Sequence, residues 1–319
     1  MRNFLLFMGM LALLLFGADF VLAALFDKLY QRARSGQTGG ETNRYLAFSK
    51  LPTLLIMGNS RARYQVDPDS FAVPTYSLCH AGMGQVFQTG LLHLLEQENK
   101  LPSTVLLHVD FEEYTGDDNL EDIGNLRYYY GKSPAITTRI REISRYEQLK
   151  YCFRFYRYNG RVISIIKNFI QSRTATPFSK GYQALSPIAN DSTSFVELTP
   201  PIIAGQRARF QYRNLRHLQE FLAICRRHKI KLLCFTSPYF VSRVSASMAA
   251  LPIDSMLRAE HVPYFNAAAH PLPILQHHAS FWQDADHLNV LGAGYLSQQI
   301  AQWSKPFLTA DSTVIAPRH

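Results

Sequence analysis

The 319-residue chain is 47% hydrophobic and 13% aromatic and carries a formal charge of +9. That much apolar material can bury a substantial core, one large domain with an elaboration, and it excludes a chain disordered throughout. Four cysteines, Cys79, Cys152, Cys225 and Cys234, are too few and too irregularly spaced for a disulfide framework or a zinc site, and they read as buried thiols.

Phe4 to Phe26 is apolar except for Asp19 and, at about 1.5 Å per residue, can cross a hydrocarbon core of about 30 Å. Its length, with no small-x-small cleavage site after it, favours an uncleaved anchor over residues 1–28 rather than a signal peptide. Arg2 precedes the segment while Lys28, Arg32 and Arg34 follow it, which mildly opposes an N-inside orientation. Gln31 to Thr42 is rich in glycine and polar residues and predicts a flexible tether over 29–50.

The folded domain is expected over 51–305. Leu54 to Met57 is an apolar run ending at Gly58, Tyr76 to Cys79 a weaker one ending near Gly82, and Thr104 to Val109 a clearer one; all three read as buried strands. Gln85 to Asn99, with Val86, Leu91, Leu94 and Leu95 at helical spacing, suits a crossover helix. The pattern returns with a helix over Tyr212 to His228 and a strand over Ile230 to Phe235. A helix over Ser245 to Glu260, a short strand from Pro263 to Phe265 and a last helix over Val290 to Trp303 complete it. Strands alternating with helices predict an α/β fold whose parallel sheet is covered on both faces. Residues 306–319 lack periodicity and are expected to fray.

The middle of the chain breaks this rhythm and predicts a helical basic and aromatic insertion over about 115–210. Leu126 to Gln183 holds twelve Lys or Arg against two Glu, with twelve Tyr or Phe interleaved. The plain reading is a set of cationic stems covering an aromatic-rich subdomain. The functional one is a surface for an anionic glycan, a phosphate-bearing polymer or lipid headgroups. The membrane segment argues against nucleic acid.

Three short motifs bear on chemistry. Leu54-Leu55-Ile56-Met57-Gly58-Asn59-Ser60-Arg61 empties a buried strand into a Gly-Asn-Ser turn, and ligands of a parallel sheet bind at the carboxyl ends of its strands. Ser60 is thus placed either for attack or as the cap of the next helix. Asp284-Ala285-Asp286-His287-Leu288-Asn289 sets an Asp three residues ahead of a His. That spacing can supply a base and the partner that fixes its tautomer, although caps, solvated surface or a metal site use the same residue types. Ala81-Gly82-Met83-Gly84 could turn a backbone N–H toward an oxyanion, or be an ordinary glycine turn.

Together these blocks resemble the SGNH (GDSL-like) hydrolase family, matching as scattered blocks from about Leu51 to Trp303. The resemblance implies a flavodoxin-like three-layer sandwich with a central parallel sheet. It also implies Ser60 as nucleophile, His287 as base and Asp284 as its partner, with Asp286 as fallback, and the N–H groups of Ser60 and Gly82 as oxyanion donors; no cofactor is implied. The family's third block usually contributes an Asn, whereas here the strand runs into Asp110-Phe111-Glu112-Glu113, leaving Arg61, Arg63 or a backbone N–H to complete the oxyanion site. The Gly-Asn-Ser-Arg block and the N-terminal anchor are similar to the membrane-tethered branch that includes D-alanine-transfer and alginate O-acetylation proteins. That branch implies a single-pass protein of the cytoplasmic membrane with its domain on the periplasmic side. It would be an esterase or O-acyltransferase acting on an acylated envelope glycan or polymer, beside a membrane-bound acyltransferase. The alternative is an inactive protein of the same fold that binds such a glycan or partner.

Overall fold

The computed structural model describes residues 1–114, 120–174, 180–186, 215–240, 244–275 and 278–309. The chain divides into two compact units: Met1–Ser49, Gly90–Lys100 and Leu120–Phe178 form the first, and Lys50–Thr89, Leu101–Asn119 and Ser179–His319 the second.

The second unit is built on a five-stranded parallel sheet: β1 (Leu54–Met57), β2 (Thr75–Ser77), β3 (Thr104–His108), β4 (Lys231–Thr236) and β5 (Tyr264–Asn266), in the order β2-β1-β3-β4-β5. Every residue of β1 and β3 is buried, which explains why these strands are continuous apolar runs rather than alternating ones. The final helix, Val290–Thr309, lays Ala293, Leu296 and Ile300 against Leu54, Ile56, Leu106, Leu233 and Trp282. Each buried Leu or Ile among them contributes about 1.5–3 kcal/mol by leaving water. The order places β2 and β3 on opposite sides of β1, so the carboxyl ends of β1 and β3 form the switch point at which a crevice opens.

The first unit holds the Arg2–Arg32 helix, 31 residues long and apolar enough to span a membrane. Its aromatic residues explain much of the basic section. Tyr30 stacks on Tyr128 with ring centroids 3.9 Å apart, and Tyr129 and Tyr158 complete the cluster. Lys132 Nζ lies 3.6 Å from the Tyr128 ring centroid and Arg141 covers Tyr130, so cationic stems do lie over aromatic surface. Helices Pro134–Ile143 and Val162–Thr174 belong here too.

Four expectations change. The supposed tether over 29–50 is ordered: the first helix continues to Arg32 and a second spans Gly40–Leu46. Gly36 and Gly39 have positive φ and make a tight reversal, in which a Cβ on Gly40 would collide with the Ser35 carbonyl. Tyr45 is then fully buried, and Asn43 Nδ2 donates to the Tyr30 carbonyl at 2.5 Å. Among the described residues the insertion over 115–210 is divided: 120–174 share a unit with the N-terminal helix and 180–186 belong to the sheet unit, while 115–119, 175–179 and 187–210 lie outside the described residues. The frayed tail over 306–319 begins later, because helix continues through Pro306 to Thr309; 310–319 lie outside the described residues. Cys152 is exposed, while Cys79, Cys225 and Cys234 are buried.

Candidate active site

The site begins at the end of β1. Gly58 has φ +152°, and a Cβ there would stand 2.6 Å from His108 Cβ and 2.8 Å from Ala62 Cβ, so the chain leaves the strand through a position only glycine fits. Asn59 then caps the short helix Ser60–Gln65, its Oδ1 accepting the Arg61 N–H at 3.0 Å. The cap therefore falls one residue ahead of Ser60. The serine hydroxyl is left unused by its own helix and meets His287 Nε2 at 2.9 Å.

His287 lies in a loop closed by the antiparallel bridge of Trp282 with Leu288 and by the Gln283 N–H on the His287 carbonyl at 2.8 Å. Asp284 turns back within it. Its Oδ1 accepts the backbone N–H groups of Asp286 (2.9 Å) and His287 (2.8 Å), and both carboxylate oxygens stand 3.0 Å from His287 Nδ1. Partial burial works to raise the Asp284 carboxyl, but the imidazole hydrogen bond and the backbone N–H bonds outweigh it and hold the group below its ordinary value. An ionised carboxylate facing Nδ1 assigns the ring proton there, leaving the Nε2 lone pair toward Ser60 Oγ. Asp286, the fallback partner, points its backbone carbonyl to Gln65 Nε2 at 2.7 Å, which ties the His loop to the helix that carries Ser60.

The β2 end leads into the glycine turn. Leu78 and His80 extend the pairing to β1 through bonds to the Ile56 and Gly58 carbonyls, and Gln88 Nε2 also donates to Gly58 O at 2.9 Å. Gly82, exposed, turns at φ +73° with open space where a Cβ would stand. The N–H groups of Ser60 and Gly82 have no acceptor among the described residues. His80, buried, is pushed down to about 3 by burial and by the Arg63 charge, and is neutral at pH 7.

Behind the serine lies a buried polar network. Arg61 Nη1 pairs with Asp110 Oδ2 at 3.3 Å, Nη2 donates to the Ser237 and Pro238 carbonyls at 2.7 Å each, and the guanidinium stacks 3.8 Å from the Tyr239 ring centroid. Tyr239 OH donates to Asp110 Oδ1 at 3.1 Å, and Asn59 Nδ2 donates to Asp110 at 3.2 Å and to Glu113 at 3.3 Å. Glu113 also accepts the Gln85 N–H at 2.7 Å, at the start of the Gln85–Gln97 helix. Beside this network His108 is pushed down to about 3, by burial first and by Arg61 in addition, against the pull of Asp110.

The two arginines are therefore not oxyanion donors. Arg61 is committed as above, and Arg63 donates to the Cys79 carbonyl at 3.1 Å and to Gln183 at 3.3 Å. At the position after β3 where an Asn was sought, Asp110 holds Arg61 and the Asn59 amide. Two supporting residues escaped the sequence reading. Asn289 caps the final helix and ties back to the Ser280 and Trp282 carbonyls, and an Asn just before an apolar helix is a signal that could have found it. Gln65 had none. No protein-family model matches this sequence, and no curated protein does either.

Proposed function

We propose that this chain is a membrane-anchored serine esterase or O-acyltransferase of SGNH type, with its sheet unit outside the cytoplasm and Ser60 as nucleophile. The observation that carries the reading is the continuous relay of Ser60 Oγ, His287 and Asp284, with contacts of 2.9 and 3.0 Å, from residues more than two hundred positions apart. The strand order 2-1-3-4-5 supports the flavodoxin-like assignment, and the membrane-length helix supports the anchored branch.

In this reading Oγ attacks the carbonyl carbon of an acyl ester, acetyl by resemblance, as its proton passes to His287 Nε2. Asp284 stabilises the resulting imidazolium. The oxyanion is met by the Ser60 and Gly82 N–H groups, each such donor being worth about 3 kcal/mol. Collapse expels the leaving alcohol, which takes the proton from His287, and leaves an acyl-Ser60 ester. A hydroxyl of an envelope glycan, or water, then gives its proton to His287 and attacks that ester, which restores the serine. A membrane-bound acyltransferase would supply the acyl group, and no cofactor is needed.

The second reading, an inactive glycan- or partner-binding protein, draws on Asp110: the third block offers a committed carboxylate instead of a side-chain donor. Acyl-enzyme trapping separates the two. After brief exposure to p-nitrophenyl acetate and acid quenching, peptide mass spectrometry should find the acetyl group on Ser60. A folded protein that gives no acyl-Ser60 would leave the binding reading.

A further inference from the structure

We infer that the surface formed by residues 145–170 lies in the lipid interface beside the N-terminal helix and binds an anionic bilayer. Within the first unit, the backbone N–H groups of Arg154 and Phe155 donate to the two carboxylate oxygens of Asp19 at 2.8 and 2.9 Å. Phe153 stacks on Phe16 with ring centroids 5.1 Å apart, Arg154 lies 4.8 Å from the Phe20 ring centroid, and Phe155 packs on Phe26. The segment thus runs along the middle of the apolar helix rather than beyond its end.

Length then decides where the bilayer must lie. The helix ahead of Phe16, Arg2 to Leu15, is about 21 Å long, too short to cross a hydrocarbon core of about 30 Å, whereas Phe4 to Phe26 spans about 34 Å. A bilayer crossed by this helix therefore reaches past Phe16 to the level of Asp19, and Phe153 to Phe155 come with it. The Asp19 bonds fit that placement, since a carboxylate at membrane depth needs donors and two backbone N–H groups provide them.

The surface has the matching composition. After the N-terminal helix, nine large apolar side chains among the described residues are exposed, and six belong here: Tyr146, Leu149, Phe153, Ile163, Ile166 and Ile170, at 39–81% exposure. Residues 145–170 carry six Lys or Arg against Glu147 alone, and that carboxylate pairs with Lys150 at 2.6 Å. Apolar side chains interleaved with cations suit insertion among acyl chains under anionic headgroups.

The exposed thiol of Cys152, in the middle of this surface, allows a test on the full-length protein. An environment-sensitive fluorophore on Cys152, in vesicles of phosphatidylcholine and phosphatidylglycerol, is challenged with phospholipid bearing a nitroxide high on its acyl chain and with iodide in the water. A label at Leu13→Cys in a Cys152→Ser background reports insertion of the helix itself. The expected result is a roughly two-fold or greater loss of Cys152 fluorescence with the nitroxide lipid and little with iodide. Substitution of Leu149→Asp and Ile163→Asp together should remove the lipid quenching at Cys152 while the Leu13 label stays quenched. Iodide-quenched, lipid-insensitive fluorescence at Cys152 would overturn the inference and leave this face to a protein partner. Absence of lipid quenching at Leu13 would overturn it too, because the helix would not be inserted, and so would lipid quenching that survives the double substitution.

Discussion

Replacing Asp284 by Asn isolates the electrical part of the relay from its scaffold. The amide oxygen can still accept the Asp286 and His287 backbone N–H groups, now 2.9 and 2.8 Å from Oδ1, so the loop keeps its internal bonds. The NH2 that replaces Oδ2 is a donor, however, and a donor facing Nδ1 at about the 3.0 Å of the present contact favours the tautomer with the proton on Nε2. His287 would then donate to Ser60 Oγ instead of accepting its proton. Loss of the base in this way costs about 10³ to 10⁴ in rate, or about 4–5.5 kcal/mol at 1.36 kcal/mol per decade. Stability should change by no more than about 1 kcal/mol, one partly exposed hydrogen bond having been altered. The assay is the burst of p-nitrophenol from p-nitrophenyl acetate, read beside a denaturant unfolding curve. A burst rate within about three-fold of the parent, in a protein with an unchanged unfolding curve, would refute the tautomer argument.

Asp110→Ala should lower unfolding free energy by about 3–5 kcal/mol, because Arg61 would stay buried without its carboxylate; a change below about 0.5 kcal/mol in urea unfolding would contradict the network. Gly58→Ala should cost about 3 kcal/mol and the burst as well, through the 2.6 Å approach to His108 Cβ, and a stable, active variant would refute that close contact. His80 and His108 titrate near 3 when folded against about 6.5 when unfolded. The unfolded chain thus binds more protons in that window, so their stability contribution is complete above about pH 6.5 and is lost as pH falls toward 3. Equilibrium unfolding followed from pH 7 to 4.5 should show this decline, and His80→Gln with His108→Gln should flatten it; a parent protein flat over that range would contradict it.

What the sequence disclosed follows from which forces act locally. β1, β3 and β4 are apolar runs that stop where the chain must turn, so their positions are written in consecutive residues and Leu54–Met57 was legible to the residue, whereas β2 is Thr75-Tyr76-Ser77 and the expected run from Tyr76 to Cys79 only overlaps it. The relay was legible because Asp284 and His287 share one loop and Ser60 sits at a strand end. One reading failed, and one alternative closed, where a residue type serves opposite purposes. Gly36, Gly39 and Gly40 look like flexibility in a sequence, yet here they allow a reversal that Tyr45 and Asn43 lock against Tyr30. Ser60 could stand for attack or as a helix cap, and Asn59 takes the cap. The bond from Gln65 to the Asp286 carbonyl, and the commitment of Arg61 to Asp110, Ser237 and Pro238, depend on contacts across 49 to 221 positions. No local pattern encodes them.

Reaction with a fluorophosphonate probe tests the activated serine most directly, since only a hydroxyl with a working base reacts readily. The parent protein should be labelled stoichiometrically, with the adduct mapping to Ser60. Ser60→Ala should abolish the label and His287→Ala should slow it by orders of magnitude, both with unchanged unfolding curves. A folded parent protein that takes up no probe, or takes it up equally well without His287, would contradict the account.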